Sequence, residues 1–273
     1  MKISFFYEYG EIDGIGTGHK YRSLEVAKHL SAHDVNYVSS VPKECDIFVI
    51  DHMGSQEDII VEAKQKGQKV FLIDGSEDDV CLVDRSVSAI LNKKAEYRGI
   101  EYVAFPVDNF AERYILSDRR TKVFVGMGGF DKNKYTKVVV DVLLNIGADI
   151  IVADSINHNE ISGVEVFGGK NYFDAMSDCI MGVTNGGLTL FQSIYYGLPC
   201  VSIPQYEHQK ENIKYVDNMC IMAEPNKEDL TKKIKKMLSC AELRKKISDV
   251  GKNSIDGLGA FRVAKLIEGL YGS

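Results

Sequence analysis

The sequence lacks any paired-cysteine motif, any excess of positive charge and any apolar run long enough to cross a membrane. Each absence removes a class of function. Six cysteines occur, Cys45, Cys81, Cys179, Cys200, Cys220 and Cys240, and none forms a CxxC pair. Most fall inside apolar strand-like runs, so buried free thiols in a reducing compartment fit better than disulfides or a zinc site. With a formal net charge of −6 and no basic stripe, nucleic acid is a poor partner. The densest cationic run, Lys232, Lys233, Lys235 and Lys236, interleaves with Leu230, Ile234 and Met237 at helical spacing and reads as a solvated helix face. No apolar run reaches the roughly 20 residues of a membrane-spanning helix. The chain opens on the strand-like Lys2–Tyr7 without a signal-peptide pattern, and a cytoplasmic location is the expectation. Internal repeats, low-complexity tracts and coiled-coil heptads are also missing.

What is present is a hydrophobic fraction of 45% over 273 residues, enough for one large or two medium α/β domains. Apolar runs of strand length recur at residues 3–7, 36–38, 47–50, 70–73, 89–91 and 102–105, then at 122–125, 149–152, 164–167, 180–183, 200–203 and 220–222. They are continuous rather than alternating, and helical patterns separate them. Such strands belong to parallel sheets covered on both faces, which makes the fold class α/β. Readable helices cover residues 19–30, where Leu24, Ala27 and Leu30 share a stripe, and 133–144, with Val138 and Val142. The charged, weakly periodic stretch 111–121 suggests a break near residue 118, giving domains 1–118 and 119–273. The last amphipathic helix, within about 260–273, is expected to pack back on the first domain.

Ligands of open parallel sheets bind beyond the carboxyl ends of the strands. Glycine, small and polar residues gather at those places in this sequence. The first strand is followed by Gly14, Gly16, Thr17, Gly18 and His19, the third by Asp51 and His52, and the fourth by Asp74 and Gly75. In the second half Gly126, Gly128, Gly129 and Asp131 follow one strand, Thr184 to Gly187 another, and Glu207, His208 and Gln209 a third. The glycines of Gly14–His19 let backbone approach an anion, and the helix start supplies unpaired N–H groups, so a phosphate-bearing ligand fits there. A plain strand-to-helix turn has the same composition. The spacing is GxGxG, and Ser39 and Ser40 stand where a dinucleotide site needs a ribose-binding acid, so that site is disfavoured. His19 lies in the first turn, where the helix dipole disfavours a cationic ring. A general base is one reading of it and a capping or phosphate-contacting residue the other. Arg22 and the neighbouring glycines favour the first. In Asn185–Gln192 the N–H groups of Gly186, Gly187 and Leu188, with the Thr189 hydroxyl, suit a diphosphate. Gln192, one turn on, suits ribose hydroxyls. Gln209 and Asn212 share a helix face and suit a sugar. The same segment also reads as an ordinary buried helix start.

Several of these stretches resemble one family. Gly16–Leu30 (GTGHKYRSLEVAKHL) is similar to the GxGHxxRxLxLA loop of the pseudaminic-acid-pathway UDP-sugar hydrolases and the SpsG-like proteins, as are Val49–Gly54 (VIDHMG), Leu72–Asp74 and Val125–Asp131 (VGMGGFD). Asn185–Pro204 and His208–Asn212 resemble the donor half of the related MurG-type glycosyltransferases. The resemblance covers most of the chain in order. It implies a GT-B-type fold, two Rossmann-like domains facing across a cleft, with a UDP-sugar as substrate and neither cofactor nor metal. It also implies His19 as general base, with His52 as a second catalytic candidate. Gly16, Thr17 and Gly18 with Arg22 would contact pyrophosphate and sugar, and Gly128 and Gly129 the diphosphate. Phe167 would lie where backbone reads the base. Asn185, Gly186, Gly187, Leu188 and Thr189 would form the phosphate-binding helix start, Gln192 would hold the ribose, and Gln209 and Asn212 would contact the sugar. Two departures stand out: Gln192 replaces the family's glutamate, and Met53 replaces the hydrolase's tyrosine.

Two activities follow from these residues. In the first, water deprotonated by His19 attacks C1 of a UDP-linked deoxyamino sugar, and the nucleoside diphosphate leaves toward backbone amides with inversion. In the second, the same base serves an acceptor hydroxyl in an inverting glycosyltransferase. The short first half favours the hydrolase. A binding-only descendant is a third reading, consistent with Met53 and Gln192.

Overall fold

A computed structural model describes residues 1–7, 18–107, 120–129, 131–153, 163–167 and 172–271. Gly14, Gly16 and Thr17, His158 and the expected break near residue 118 lie outside the described residues. Two compact units emerge. One contains described residues up to Pro106 together with Gly257–Tyr271, and the other the described residues from Val107 to Asp256.

In the first unit, β1 (Lys2–Tyr7), α1 (Gly18–Lys28), β2 (Asp34–Tyr37), β3 (Ile47–His52), α2 (Glu57–Gln65), β4 (Lys69–Asp74), β5 (Arg85–Ser88) and β6 (Tyr97–Arg98) follow in chain order. The strands form one sheet in the order β2-β1-β3-β4-β5-β6, every pair parallel. Strand geometry sends successive side chains to opposite faces. Ile47, Val49, Phe71 and Ile73 therefore join the core beneath α1, while Phe48, Ile50, Val70 and Leu72 pack against Ile60 and Ala63 of α2. A sheet buried on both faces explains why its strands read as unbroken apolar runs.

The second unit contains β7 (Lys122–Gly126), α3 (Tyr135–Asn145), β8 (Ile150–Ala153), β9 (Glu165–Phe167), α4 (Tyr172–Ser177), β10 (Cys179–Thr184), α5 (Leu188–Tyr196), β11 (Cys200–Ser202), α6 (Glu207–Tyr215), β12 (Cys220–Met222), α7 (Lys227–Ser239) and α8 (Ala241–Ser254). Its sheet is also parallel, ordered β12-β11-β10-β7-β8-β9. Val123, Val125, Val152, Met181, Val183 and Val201 form one core with α3 and with Leu230, Ile234 and Met237 of α7, which confirms the apolar stripe read beneath the lysine run. The cysteines are free thiols, and burial pushes those of Cys200 and Cys220 up to about 12.

The last helix, α9 (Gly259–Tyr271), belongs to the first unit, where Val263, Ala264, Ile267 and Leu270 join the core under α1. Its start lies so close to the chain at Val103 that a Cβ on Gly259 would stand 2.0 Å from that carbonyl oxygen. Lys69 and Arg85 donate to the carbonyls of Leu270 and Leu266. The Leu270 carbonyl belongs to the last turn of the helix and needs a partner from outside it.

Two expected strands are displaced. The apolar run 89–91 lies just beyond β5, whose own sequence RSVS has Val87 as its one apolar residue. Its serines are buried and hydrogen-bonded, so periodicity looked in the wrong place. Residues 102–105 form no strand: Tyr102 closes a short 3₁₀ turn, Ile100–Tyr102, and Val103, Ala104 and Phe105 are buried without a ladder.

Candidate functional site

Each sheet has one place where connections leave in opposite directions along it. In the first unit this switch point lies between β1 and β3, and in the second between β7 and β10. Crevices at the carboxyl ends of such strands bind ligands in open α/β sheets. The sequence-predicted residues group around these two points, and the two groups differ in chemistry.

At the first switch point, α1 presents His19, Arg22 and Ser23, spaced i, i+3 and i+4, on one helix face. All three converge on Asp51, at the end of β3 and fully buried. His19 Nδ1 lies 2.7 Å from Asp51 Oδ1, Arg22 Nε donates to Oδ2 at 2.9 Å and Ser23 Oγ to Oδ2 at 3.0 Å. Arg22 Nη2 completes a bidentate pair on Oδ1. Through Nη1 the same guanidinium donates to Asp74 Oδ2, at the end of β4, at 2.5 Å. Burial by itself raises the Asp51 carboxyl, but the guanidinium and the His19 ring outweigh it and hold the group well below the usual carboxylate range. Burial likewise works against the Arg22 cation, and Asp51 with Asp74 overcomes it. The guanidinium thus keeps Asp51 ionised, and the two neighbouring carboxyl groups keep Arg22 charged, in a dry setting.

These contacts assign the His19 tautomer. A carboxylate has no proton to donate, so the close Nδ1 contact is an N–H donated by the ring. In a neutral ring with that proton, Nε2 carries the lone pair and can take a proton from a ligand. Asp51 orients the ring and opposes the charge that forms on it, the role of a carboxylate behind a histidine base.

Arg22, expected to touch phosphate or sugar, has Nε, Nη1 and Nη2 all engaged by Asp51 and Asp74 instead. His52 does not join His19. It follows Asp51 in an extended strand and points to the α2 face, where its Nδ1 accepts from Gly54 N at 2.9 Å and Gln56 Nε2 at 3.2 Å. Gly18 opens α1, while Gly16 and Thr17 lie outside the described residues.

At the second switch point the groups are backbone and amide. Gly128 has φ +77°, a region open to glycine, and a Cβ there would stand 2.7 Å from Asn185 Nδ2. Asn185 ties the two loops together: Nδ2 donates to Met127 O at 2.7 Å, and Oδ1 accepts from Gly187 N at 3.0 Å. A Cβ on Gly186 would lie 2.3 Å from Gln209 O. The helix α5 starts at Leu188 with Gly187 as its N-cap and no side chain capping it. A first turn without a side-chain cap, flanked by glycines, is suited to an anion.

Gln209 and Asn212 were expected to face a sugar. Both are buried and bonded to backbone: Asn212 Nδ2 donates to Gly186 O of the turn at 2.9 Å, and Gln209 Oε1 accepts from Gln205 N, just before α6, at 2.9 Å. Their place is beneath the glycine turn. Thr189 is also buried, and Gln192 one turn further is half-buried. Phe167 ends the edge strand β9, with β8 between it and β7, and Gly129 follows Gly128 beside Asn185.

Sequence reasoning placed Asp51 and Asp74 after their strands without giving them a role, and passed over Ser88, Asn92 and Gln205. The signal available was an HxxRS spacing on a helix, with an aspartate closing each of two apolar strands.

Among the described residues no group of three or more His, Cys, Asp or Glu side chains is placed to hold a metal ion, and no helix is long and apolar enough to cross a membrane.

No protein-family model matches the sequence. The uncharacterized protein MJ1062 of Methanocaldococcus jannaschii is 21% identical over an alignment covering 77% of this chain. The chain spans 57% of that relative's length. MurG of Acinetobacter baumannii is a structural neighbour with TM-score 0.72 and 12% identity, covering 98% of this chain and 99% of that one. The spinosyn rhamnosyltransferase SpnG, in complex with thymidine diphosphate, matches with TM-score 0.68 and 10% identity over 99% of this chain and all of that one. At these identities the likeness is one of fold: a two-domain α/β chain of the GT-B type.

Proposed function

We propose that the chain is a glycosyltransferase that uses a nucleotide-activated sugar, with His19 as the base that deprotonates the acceptor hydroxyl. The observation that carries this reading is the pairing of half-buried His19 through Nδ1 with buried Asp51 at the first switch point, which leaves Nε2 as the nitrogen to accept a proton. The glycine turn at the second switch point supplies what a departing nucleoside diphosphate needs, backbone N–H groups and the positive end of a helix. Inline attack by the acceptor opposite that leaving group inverts the anomeric centre. The structural neighbours support transfer: one is called a rhamnosyltransferase and holds thymidine diphosphate, and the other is MurG. The sequence resemblance points to uracil as the nucleobase of the donor.

The loop around His19 also resembles hydrolases, which favours water as a second acceptor. Mass spectrometry of a UDP-sugar panel, incubated with and without hydroxyl acceptors, separates the two. Product that forms only with an acceptor supports transfer. Free sugar and UDP released without one establish hydrolysis instead. His19→Ala should lower turnover by about 10²–10⁴-fold, the usual worth of a positioned base, while UDP binding by calorimetry stays as it was. Unchanged turnover in that variant removes His19 from the chemistry.

A further inference from the structure

The strand β4 departs from its own alternation at its last residue. Val70 and Leu72 face α2, and an extended Asp74 would follow them. Asp74 instead has φ +63°, a left-handed conformation uncommon for a residue with a side chain, and its carboxylate meets Arg22 on the α1 side. Buried partners hold it there. Ser88 Oγ donates to Asp74 Oδ1 at 2.7 Å, and Ser88 Oγ in turn accepts from Asn92 N at 3.0 Å. Asn92 Nδ2 donates to the carbonyls of Asp74 and Ser76 at 2.8 and 3.0 Å, and Gly75 N donates to His52 O at 2.7 Å. Strain that the surroundings over-determine is found where a side chain must point one way.

The reason for that direction lies in a competition at His19. Arg22 Nη2 stands 3.1 Å from His19 Nδ1, the same atom that lies 2.7 Å from Asp51 Oδ1. A guanidinium has only N–H groups, so if it won this contact Nδ1 would have to be the acceptor, and the ring proton would move to Nε2. A ring protonated at Nε2 cannot take a proton from a ligand. Asp74 draws the guanidinium the other way through Nη1.

We propose that Asp74, pinned by Ser88 and Asn92, is a positioning residue that selects the productive His19 tautomer by holding Arg22 off His19 Nδ1. The inference rests on His19 as the base of the proposed reaction, but its first readout needs no activity. Ring ¹⁵N shifts of His19 in the full chain report which nitrogen is protonated. The intact protein should show Nδ1–H, and Asp74→Asn should move population to Nε2–H. Ser88→Ala, which leaves every charge in place, should do so to a smaller degree and stands in if Asp74→Asn does not fold. Turnover should fall about 10- to 100-fold in Asp74→Asn, the usual cost of losing an outer partner, with the KM for donor nearly unchanged. Ring nitrogens identical to wild type in the folded variants overturn the proposal, as does a change confined to KM. A tautomer shift in a protein that turns over no nucleotide sugar keeps the positioning role and removes the transferase reading.

Discussion

The two units solve the same problem with different materials. Both place a switch point between neighbouring parallel strands, and each has a glycine at the start of a helix there, Gly18 opening α1 and Gly187 capping α5. The first fills that place with side-chain charge: an imidazole, a guanidinium and two carboxylates, nearly all out of water. The second fills it with backbone and neutral amides, Asn185, Gln205, Gln209 and Asn212, that leave the loop's shape as the active element. A group that moves protons needs a tuned side chain, whereas a group that receives a diphosphate needs fixed N–H dipoles and room for the anion. The contrast teaches that similar sheet topology leaves the chemistry open, and the side chains behind the loop decide it.

The contrast can be broken most severely at Asp51. Asp51→Asn leaves a buried guanidinium short of one counter-charge, and unfolding in urea should show a loss of about 3–5 kcal/mol, with turnover lost as well. A loss under 1 kcal/mol would show that the charge pair is not what holds the first switch point together. The same group sets an acid limb. Its carboxyl is held below its unfolded value, so the stability it contributes is complete above the unfolded value and is lost as pH falls through the folded one. Urea midpoints should be flat from pH 7 to about 5 and then fall below roughly pH 4. Asp51→Asn should flatten that fall, and an unaltered acid limb would assign it elsewhere.

In the second unit shape replaces charge, so added volume should do the damage. Gly186→Ala forces a methyl against Gln209 backbone and should cost about 1–3 kcal/mol together with UDP affinity measured by calorimetry. Retained affinity would mean that the turn is not the diphosphate cradle. Gly128→Ala meets a left-handed backbone and a movable amide, and should cost about 1 kcal/mol, with weaker UDP binding. Gln192→Glu is the mildest change. A carboxylate accepts from two ribose hydroxyls where an amide accepts from one, so UDP should bind more tightly than deoxyuridine diphosphate by about 0.5–1.5 kcal/mol more than it does in the parent. No change in that ratio would place the ribose elsewhere.

Much of the fold was legible because apolar periodicity is local. The expected strands at 47–50, 70–73, 122–125 and 220–222 lie within or coincide with β3, β4, β7 and β12, and the parallel arrangement followed from their unbroken runs. The miss at β5 has a plain cause. Two of the three buried residues in β5 are serines, Ser88 bonded to the Asp74 carboxylate and Ser86 to the Glu96 backbone, and hydropathy cannot credit a polar residue for a partner distant in sequence. The site was legible at its glycines and at His19, which local turns and helix starts require. Gln209 and Asn212 looked like ligand contacts because amides on one helix face are equally good for a sugar and for a neighbouring backbone, and only Gly186 O and Gln205 N decide which.

By itself the sequence determined two parallel sheets, the helices that cover them and the loops from which chemistry would come, since each depends on residues within a few positions of one another. The tertiary structure alone decided which charges meet. His19 and Asp51 are 32 positions apart, and Arg22 and Asp74 are 52 apart. Asp51 and Arg22 stay charged against burial because of the charges facing them, and neither effect exists until the sheet has brought the ends of β3 and β4 under the first turn of α1.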